Sequence, residues 1–220
     1  MLMLAFVLRV WKTSTMAERY IPEKTVYVDM DNVIAGFDEE IISRMKSRHV
    51  AFKGDRSRDN FYIADDYPEH SSEIKEVYVE AGFFKSLPVL EGALEGWQRM
   101  IDRGWQPRVL SSPLSAHPAC EIEKRHWLTE HFDGVFGNHV SEDAVITKNK
   151  HLYNGIALLD DRGVVPNTAL ATWSHVVMHY PHNEAVDTDL RLHGMTDARL
   201  EEVLEITHER YVRSLGSRAL

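Results

Sequence analysis

The sequence predicts an α/β fold, in which a largely parallel β-sheet is sandwiched by helices and a small helical cap follows the first strand. Two observations lead to this prediction. Short apolar, β-branched runs alternate with amphipathic runs along the chain, which is the pattern of strands joined by helices. The stretch between the first strand and the next strong helix is far longer than an ordinary strand-to-helix loop, so it is expected to contain helices of its own.

The first predicted strand is "TVYVDM", residues 25–30, a run of apolar and β-branched side chains typical of a buried strand. Four later runs have the same character and supply the remaining strand predictions: "PRVLSS" (107–112), "AVIT" (144–147), "IALLDD" (156–161) and "SHVVMHY" (174–180). Because helical patterns separate several of these strands, the sheet is expected to be largely parallel.

The clearest predicted helix covers residues 93–104. Its apolar residues fall on one helical face, and Gly104 is a favoured residue just past a helix end. A second helix, over residues 117–132, is predicted to begin at Pro118, because proline is well tolerated in a first helical turn. Residues 38–49 and 71–82 are the helix candidates within the inserted stretch. Residues 197–215 are predicted to form a packing helix, with a homodimer contact as the alternative.

The chain has 220 residues, enough for one well-buried core with an insertion. The predicted organisation is an N-terminal extension (1–24), a core domain (25–37 and 91–220) and a helical cap (38–90). A formal net charge of −9 argues against a polynucleotide partner, and 27% charged residues exclude a membrane bundle. The single cysteine, Cys120, excludes an intrachain disulfide and favours the reducing cytoplasm.

The N-terminal extension contains an apolar run, Leu2 to Leu8, that is too short to span a bilayer. No basic residue precedes this run, and no convincing small-residue cleavage site follows it, so the pattern of a signal peptide is weak. We interpret the segment as an extension upstream of a second start at Met16. A targeting or anchoring segment is the alternative.

Polar residues follow four of the predicted strands. Asp29 and Asp31 end the first strand, and the other sets are Ser111 with Ser112, Lys148 with Lys150, and Asp160 with Asp161. The carboxyl ends of parallel strands share one edge of a sheet, so these segments are expected to converge on one crevice. Four acids would repel one another there. A Mg²⁺ ion and one or two lysines would neutralise them, and Mg²⁺ prefers carboxylates, waters and phosphate oxygens.

These motifs resemble, in order, the four motifs of the haloacid dehalogenase-like phosphatase superfamily, whose core is a Rossmann-type parallel sheet. More closely, the chain resembles the 5′(3′)-deoxyribonucleotidases of that superfamily. The resemblance runs from about Thr25 to Asn183 through "VDMDNVIAGFD", "GFF", "SSPLS", "EIEKRHWL", "ITKNK" and "LLDDR". Each motif alone is weak, whereas all four in this order are specific.

The resemblance assigns roles to the acids. Asp29 would be the nucleophile that forms an aspartyl-phosphate, and Asp31 would protonate the leaving oxygen and later accept a proton from water. Mg²⁺ would be held by Asp29, by the backbone carbonyl of Asp31 and by Asp161, while Asp160 would support these ligands.

The resemblance also assigns residues to the substrate. Ser111, Ser112 and Lys150 would bind the phosphoryl group. The residues expected to contact the rest of the substrate are Phe37, Phe61, Tyr62, Ile63, Tyr78, Leu114, Lys124 and Lys148. Four positions depart from the pattern of relatives: Ser111 replaces Thr, Asn32 replaces Gly, and Ser115 and Lys148 replace Lys and Arg of the vertebrate enzymes.

The predicted function is therefore Mg²⁺-dependent hydrolysis of (deoxy)ribonucleoside monophosphates, with a preference for deoxyribose because the predicted pocket wall is apolar. One alternative is a phosphatase that acts on another small ester, such as a sugar phosphate. Another is a non-catalytic nucleotide-binding regulator, although neither the nucleophile nor the metal-binding acid is missing. The twelve histidines are scattered without a metal-binding spacing and are interpreted as surface or structural residues.

Overall fold

The computed structural model describes residues 20–48, 58–137 and 139–218. Six parallel strands form one sheet in the order β3-β2-β1-β4-β5-β6. The strands are β1 (Thr25–Val28), β2 (Gln106–Ser111), β3 (Val145–Ile146), β4 (Ala157–Asp160), β5 (Ser174–Met178) and β6 (Arg191–Leu192). The first five overlap the predicted runs. β6 was not predicted from the sequence, because two residues are too few to show an alternating pattern.

The strand order reverses at the centre of the sheet. β1 pairs with β2 on one side and with β4 on the other, and the chain reaches β4 only after building β2 and β3. In open parallel sheets, ligands bind beyond the carboxyl ends of the strands at such a reversal. The ends of β1 and β4 are therefore the expected position of a site.

The helices of the core are α4 (Ala93–Asp102), α5 (Cys120–Leu128), α6 (Gly134–Phe136), α7 (His139–Asp143) and α8 (Leu200–Arg218), and a π-helical turn (Thr129–Asp133) joins α5 to α6. The predicted α/β fold, a parallel sheet flanked by helices, is thus confirmed. Gly104 follows α4 with φ of 82°, in the left-handed region that glycine adopts at helix ends. α8 contacts β4 and β5, as expected for a packing helix.

The prediction that the second helix begins at Pro118 is wrong by two residues. Pro118 lies in a turn in which the backbone N–H of Cys120 donates to the carbonyl of His117 at 3.1 Å, and α5 begins only at Cys120. The Cys120 thiol also accepts a hydrogen bond from the backbone N–H of Leu114 at 3.3 Å. This turn connects the end of β2 to α5 and places both next to the carboxyl edge of the sheet.

We call the segment 38–90 the cap. In its described part, it overlaps the α-helices α1 (Phe37–Ser47), α2 (Ile63–Asp66) and α3 (Ser71–Val77). The chain leaves the core and returns to it side by side. The backbone N–H of Gly36 donates to Pro88 at 2.8 Å, and that of Leu90 donates to Ile34 at 2.9 Å. These bonds close the base of the insertion, while the exact domain limits stay a prediction.

Side chains on alternate positions of the strands enter two hydrophobic clusters. Val26 and Val28 of β1 belong to a large cluster that includes side chains of α4, α5, α8 and the cap. Tyr27 belongs to a smaller cluster on the other face, closed by Val165 and Trp173. Because β1 is buried on both faces, its end is held rigidly.

The predicted N-terminal extension lies largely outside the described residues, since the description begins at Tyr20. Within the part of the chain that the structure describes, no helix combines the length and the apolarity needed to cross a membrane.

Candidate active site

Three buried carboxylates meet beyond the carboxyl ends of β1 and β4. Asp29, Asp160 and Asp161 each place an oxygen within 4.8 Å of the others. Lys150 binds two of them, with its Nζ 2.6 Å from Asp160 Oδ2 and 3.2 Å from Asp29 Oδ2. The cluster therefore contains three acids around one lysine, and the predicted convergence of these strand ends is observed.

The ion pairs determine the pKa shifts of Lys150 and Asp160. Burial alone would lower the pKa of Lys150, but Asp160 and Asp29 more than offset this effect and leave the pKa above its ordinary value. Burial alone would raise the pKa of Asp160, and Lys150 reverses the shift, so this pKa lies below its ordinary value. Both groups are therefore charged near neutral pH.

Asp161 is in a different electrostatic environment. Burial and then the neighbouring Asp160 raise its pKa well above the ordinary value, and Arg58 opposes this shift. Burial is the largest cause of this shift, and the nearby carboxylates of Asp29 and Asp38 add to it. A bound divalent cation would place positive charge among these acids.

The loop after β1 holds Asp29 and Asp31 in place through its backbone. The N–H groups of Ile34 and Ala35 both donate to the carbonyl of Met30, at 3.0 and 2.9 Å, and this turn directs the chain back across the sheet edge. The N–H of Met30 donates to Asp29 Oδ1 at 2.9 Å. One oxygen of the predicted nucleophile is thus oriented by the loop itself.

Asn32 occupies the sharpest position of this loop, with φ of 58°. Asparagine tolerates this left-handed conformation better than most residues, which explains why it can occupy this position. Its side chain also forms a reciprocal pair with Asp38: Asn32 Nδ2 donates to Asp38 Oδ1 at 3.1 Å, and the Asp38 backbone N–H donates to Asn32 Oδ1 at 3.0 Å. The loop is thereby joined to the first turn of α1.

Asp31 is bound by Lys124, a residue that the sequence analysis assigned to the substrate. Lys124 is fully buried, and its Nζ donates to Asp31 Oδ2 and Ser111 Oγ at 2.8 Å each, and to the carbonyl of Ser112 at 3.0 Å. Burial raises the pKa of Asp31 above its ordinary value; Lys124 opposes this shift and Asp29 adds to it. Lys124 thus lies behind the acid and the serine, so its contact with substrate stays a prediction.

A cavity of about 400 Å³ opens above the acids. Asp29, Asp31, Asp161 and Ser112 line its floor. Six of the predicted substrate residues line its walls: Phe37, Phe61, Tyr62, Ile63, Tyr78 and Leu114. The walls are therefore mainly aromatic and aliphatic, which is typical of a site for a small organic ligand.

Lys148 is placed apart from this cavity. Its side chain is exposed, and its ammonium donates a hydrogen bond to the hydroxyl of Ser115. Ser115 and Lys148 are two of the four positions at which the resemblance described above indicates a departure from relatives. The structure brings them into contact with each other, and a contact between Lys148 and substrate stays a prediction.

Several residues of the site were missed by the sequence analysis. Arg58, Lys75, Phe84 and Arg162 also line the cavity. The ring nitrogen Nε2 of His182 lies 2.9 Å from the backbone carbonyl of Asp161, and burial lowers the pKa of this histidine. Two of these residues had a sequence signal, since Phe84 lies in the "GFF" motif and Arg162 follows the Asp-Asp pair. No motif or spacing marks Arg58, Lys75 or His182.

The parallel sheet reverses its strand order at β1 and β4, and paired acids lie at the ends of both strands. Together with the family match given next, these features place the protein among the haloacid dehalogenase-like hydrolases. Residues 23–206 match the family described as "5' nucleotidase, deoxy (Pyrimidine), cytosolic type C protein". The chain belongs to this family, as the sequence motifs predicted.

Curated relatives carry related names. A protein of Bordetella bronchiseptica named "Putative 5'(3')-deoxyribonucleotidase" is 32% identical over 164 residues, which cover 72% of this chain and 84% of the relative. The human "5'(3')-deoxyribonucleotidase, cytosolic type" is 28% identical over 169 residues, covering 72% of this chain and 81% of the relative. The chain therefore matches most of the length of both proteins.

Proposed function

We propose that the protein is a Mg²⁺-dependent 5′-nucleotidase that hydrolyses nucleoside monophosphates, preferably deoxyribonucleotides, through an aspartyl-phosphate on Asp29. The observation that carries this proposal is the position of Asp29 and Asp31 on the floor of an aromatic-walled cavity. The acids supply phosphoryl-transfer chemistry, and the walls suit a nucleoside. The names of the Bordetella and human relatives support the same substrate class.

The donor set fits a Mg²⁺ ion. Three buried carboxylates meet here, Lys150 bridges two of them, and Arg58 pairs with the third. Carboxylate oxygens are ligands that Mg²⁺ prefers. We assign Asp29, Asp161 and the backbone carbonyl of Asp31 as ligands. Asp160 instead accepts hydrogen bonds from Lys150 and from the backbone N–H of Arg162, at 2.6 and 2.9 Å, which suits a supporting role. Bound Mg²⁺ would neutralise the acids and polarise the phosphoryl oxygens.

The first step is attack of an Asp29 carboxylate oxygen on phosphorus. A bond forms between that oxygen and phosphorus, and the bond from phosphorus to the 5′ oxygen breaks. Asp31 gives its proton to the departing 5′ oxygen, which leaves as the nucleoside hydroxyl. Burial raises the pKa of Asp31 above its ordinary value, which is the direction that favours a general acid.

The second step regenerates the enzyme. Asp31, now a carboxylate, accepts a proton from a water molecule whose oxygen attacks phosphorus, and the bond from phosphorus to Asp29 breaks. Phosphate leaves, and Asp29 and Asp31 return to their starting states. We assign Lys150 and Ser111 to the phosphoryl oxygens, where a positive charge and a hydroxyl stabilise the transition state. Lys124 positions both Asp31 and Ser111 through its hydrogen bonds.

A phosphate-release screen over nucleoside monophosphates and sugar phosphates tests the proposed substrate class. The aromatic cavity walls predict higher kcat/KM for nucleotides, because a sugar phosphate would leave much of this apolar surface exposed to water. Higher kcat/KM for sugar phosphates would favour the alternative phosphatase. Release from neither class would favour the non-catalytic regulator.

Removal of divalent metal is expected to abolish activity, and added Mg²⁺ is expected to restore it. The reason is that the acid cluster would otherwise repel the phosphate dianion. Phosphate release is measured before EDTA treatment, after dialysis against EDTA, and after return of Mg²⁺ or, as a control, of K⁺. Full activity in exhaustively metal-stripped protein would contradict the assigned metal dependence.

The deoxyribose preference is expected to be about 5- to 150-fold in kcat/KM, because burying a ribose 2′-hydroxyl without a partner costs about 1–3 kcal/mol. The phenols of Tyr62 and Tyr78, and polar cavity-lining side chains such as Lys75, are able to reduce this difference by bonding that hydroxyl. The measurement compares dUMP with UMP and dGMP with GMP. Equal values in both pairs would refute the apolar-wall explanation and leave the nucleotidase chemistry intact.

We further propose a cytoplasmic location, supported by the single cysteine and by the name of the human relative. The negative net charge supports a small-molecule substrate rather than a polynucleotide. A homodimer contact through α8 stays a prediction.

A further inference from the structure

Arg58 is a buried arginine of the cap that reaches Asp161, one of the acids assigned above to the metal. Its side chain is 5% exposed. Its Nε donates to Asp38 Oδ2, and its Nη2 lies 3.2 Å from Asp161 Oδ2. Burying a guanidinium costs free energy unless it is paired with carboxylates. The pairs with Asp38 and Asp161 therefore explain why Arg58 can be buried in the cap.

The contacts of Arg58 belong to a closed ring of four buried side chains. Asn32 bonds Asp38 at 3.1 Å, Asp38 bonds Arg58, Arg58 bonds Asp161, and Asn32 Nδ2 lies 3.5 Å from Asp161 Oδ2. Three parts of the chain thus meet here: the loop after β1, the cap, and the end of β4. A ring of this kind restricts the rotation of each carboxylate within it.

The ring leaves one oxygen of Asp161 for another partner. Within the described residues, the hydrogen bonds to its carboxylate both end on Oδ2, from Arg58 and Asn32. Because the Oδ2 atom is held, the orientation of Oδ1 is restricted as well. Carboxylates that bind metals are commonly oriented by such outer hydrogen bonds, and loss of the outer partner typically weakens metal affinity about 10- to 100-fold.

We propose that Arg58 is a positioning residue that orients Asp161 for Mg²⁺ and thereby links the cap to the metal site. This inference rests on the proposed metal dependence. Phe61 strengthens the link, because its ring contacts Arg58 of the cap and Arg162 and His182 of the core. A cap displaced from the core would lose the contact between Arg58 and Asp161, so the metal site is complete only when the cap is seated.

The test is Mg²⁺ binding by isothermal titration calorimetry at fixed pH, for the full chain and for Arg58→Met, which keeps most of the side-chain volume but removes the donors. We expect the Kd for Mg²⁺ to rise about 10- to 100-fold. Arg58→Lys is expected to give a similar rise, because an ammonium cannot reproduce the planar two-carboxylate geometry of arginine. It also provides a second variant if Arg58→Met fails to fold.

Arg44→Met is the matched control. Arg44 also pairs with two carboxylates, Glu40 and Glu80, at 2.7 Å each, and also lies over an aromatic ring, but it does not line the cavity. This variant should bind Mg²⁺ like the unmodified protein, even if its melting temperature falls. A Kd within twofold of the unmodified protein, or tighter binding, in the folded Arg58 variants would overturn the proposal.

The outcome can be separated from failure of the proposed function. Calorimetry reports Mg²⁺ binding whether or not nucleotides are hydrolysed, so a weakened Kd supports the role of Arg58 even if the phosphate-release screen finds a different substrate. If the protein releases phosphate from nucleotides and the Arg58 variants bind Mg²⁺ normally, the nucleotidase function stands and the positioning role is wrong.

Discussion

Asp29→Asn is expected to remove essentially all turnover, by on the order of 10⁶-fold, which is the scale of loss when a covalent nucleophile is removed. The amide that replaces the carboxylate cannot attack phosphorus as a charged oxygen, so the aspartyl-phosphate cannot form. The fold should persist, because asparagine keeps the oxygen that accepts the backbone N–H of Met30. The measurement is phosphate release from dUMP at saturating Mg²⁺, together with a thermal melt.

Asp102→Asn is the matched control for this variant. Asp102 lies at the exposed end of α4 and accepts a hydrogen bond from Gln98 at 2.7 Å, away from the acid cluster. The same chemical change there should leave the rate unchanged. Near-normal phosphate release by Asp29→Asn would overturn the covalent mechanism.

Asp31→Asn is expected to lower kcat for natural nucleotides about 10²- to 10⁴-fold, which is the usual contribution of a positioned general acid. In the unmodified protein, Lys124 Nζ donates to Asp31 Oδ2 at 2.8 Å. The side-chain oxygen of the substituted asparagine can still accept this hydrogen bond, so the geometry of the site should change little. What is lost is the proton for the leaving oxygen. Measuring kcat for dUMP checks the loss, and a reduction below threefold would contradict the assigned role.

A comparison of leaving groups makes this test sharper. p-Nitrophenolate leaves without being protonated, so formation of the aspartyl-phosphate from p-nitrophenyl phosphate should depend less on Asp31. Single-turnover bursts of p-nitrophenol should therefore be less impaired in Asp31→Asn than the corresponding release of nucleoside from dUMP. Equal impairment with both esters would indicate that the substitution disturbs binding or geometry instead.

The positions of the central strands and of the acids at their ends could be predicted because their information is local. Val26 and Val28 belong to a short apolar run that is recognisable without its partners, and Asp29 follows it directly. Asp160 and Asp161 likewise come at the end of an apolar run, that of β4. β6 could not be predicted, because its two residues form a strand only through pairing with β5.

Side-chain partners from distant segments could not be predicted in the same way. A lysine in a helix is ordinarily a surface residue. The packing of α5 against the sheet nevertheless buries Lys124 completely against Asp31. Arg58 lies in a stretch with no periodicity, and its role depends on the position of the cap above the end of β4. Both residues are charged groups whose burial is acceptable only because opposite charges come from elsewhere in the chain.

The sequence by itself determined the α/β class, the helical insertion after the first strand, and the chemistry available at the strand ends. The α/β class and the strand-end residues follow from runs of a few neighbouring residues, whose periodicity and order survive without tertiary contacts. The insertion follows from the length of the stretch after the first strand. Only the tertiary structure decided which charges meet. It placed Lys124 behind Asp31, Lys148 beside Ser115, and Arg58 against Asp161, because electrostatic pairing depends on distances of a few ångströms between segments that the chain order does not bring together.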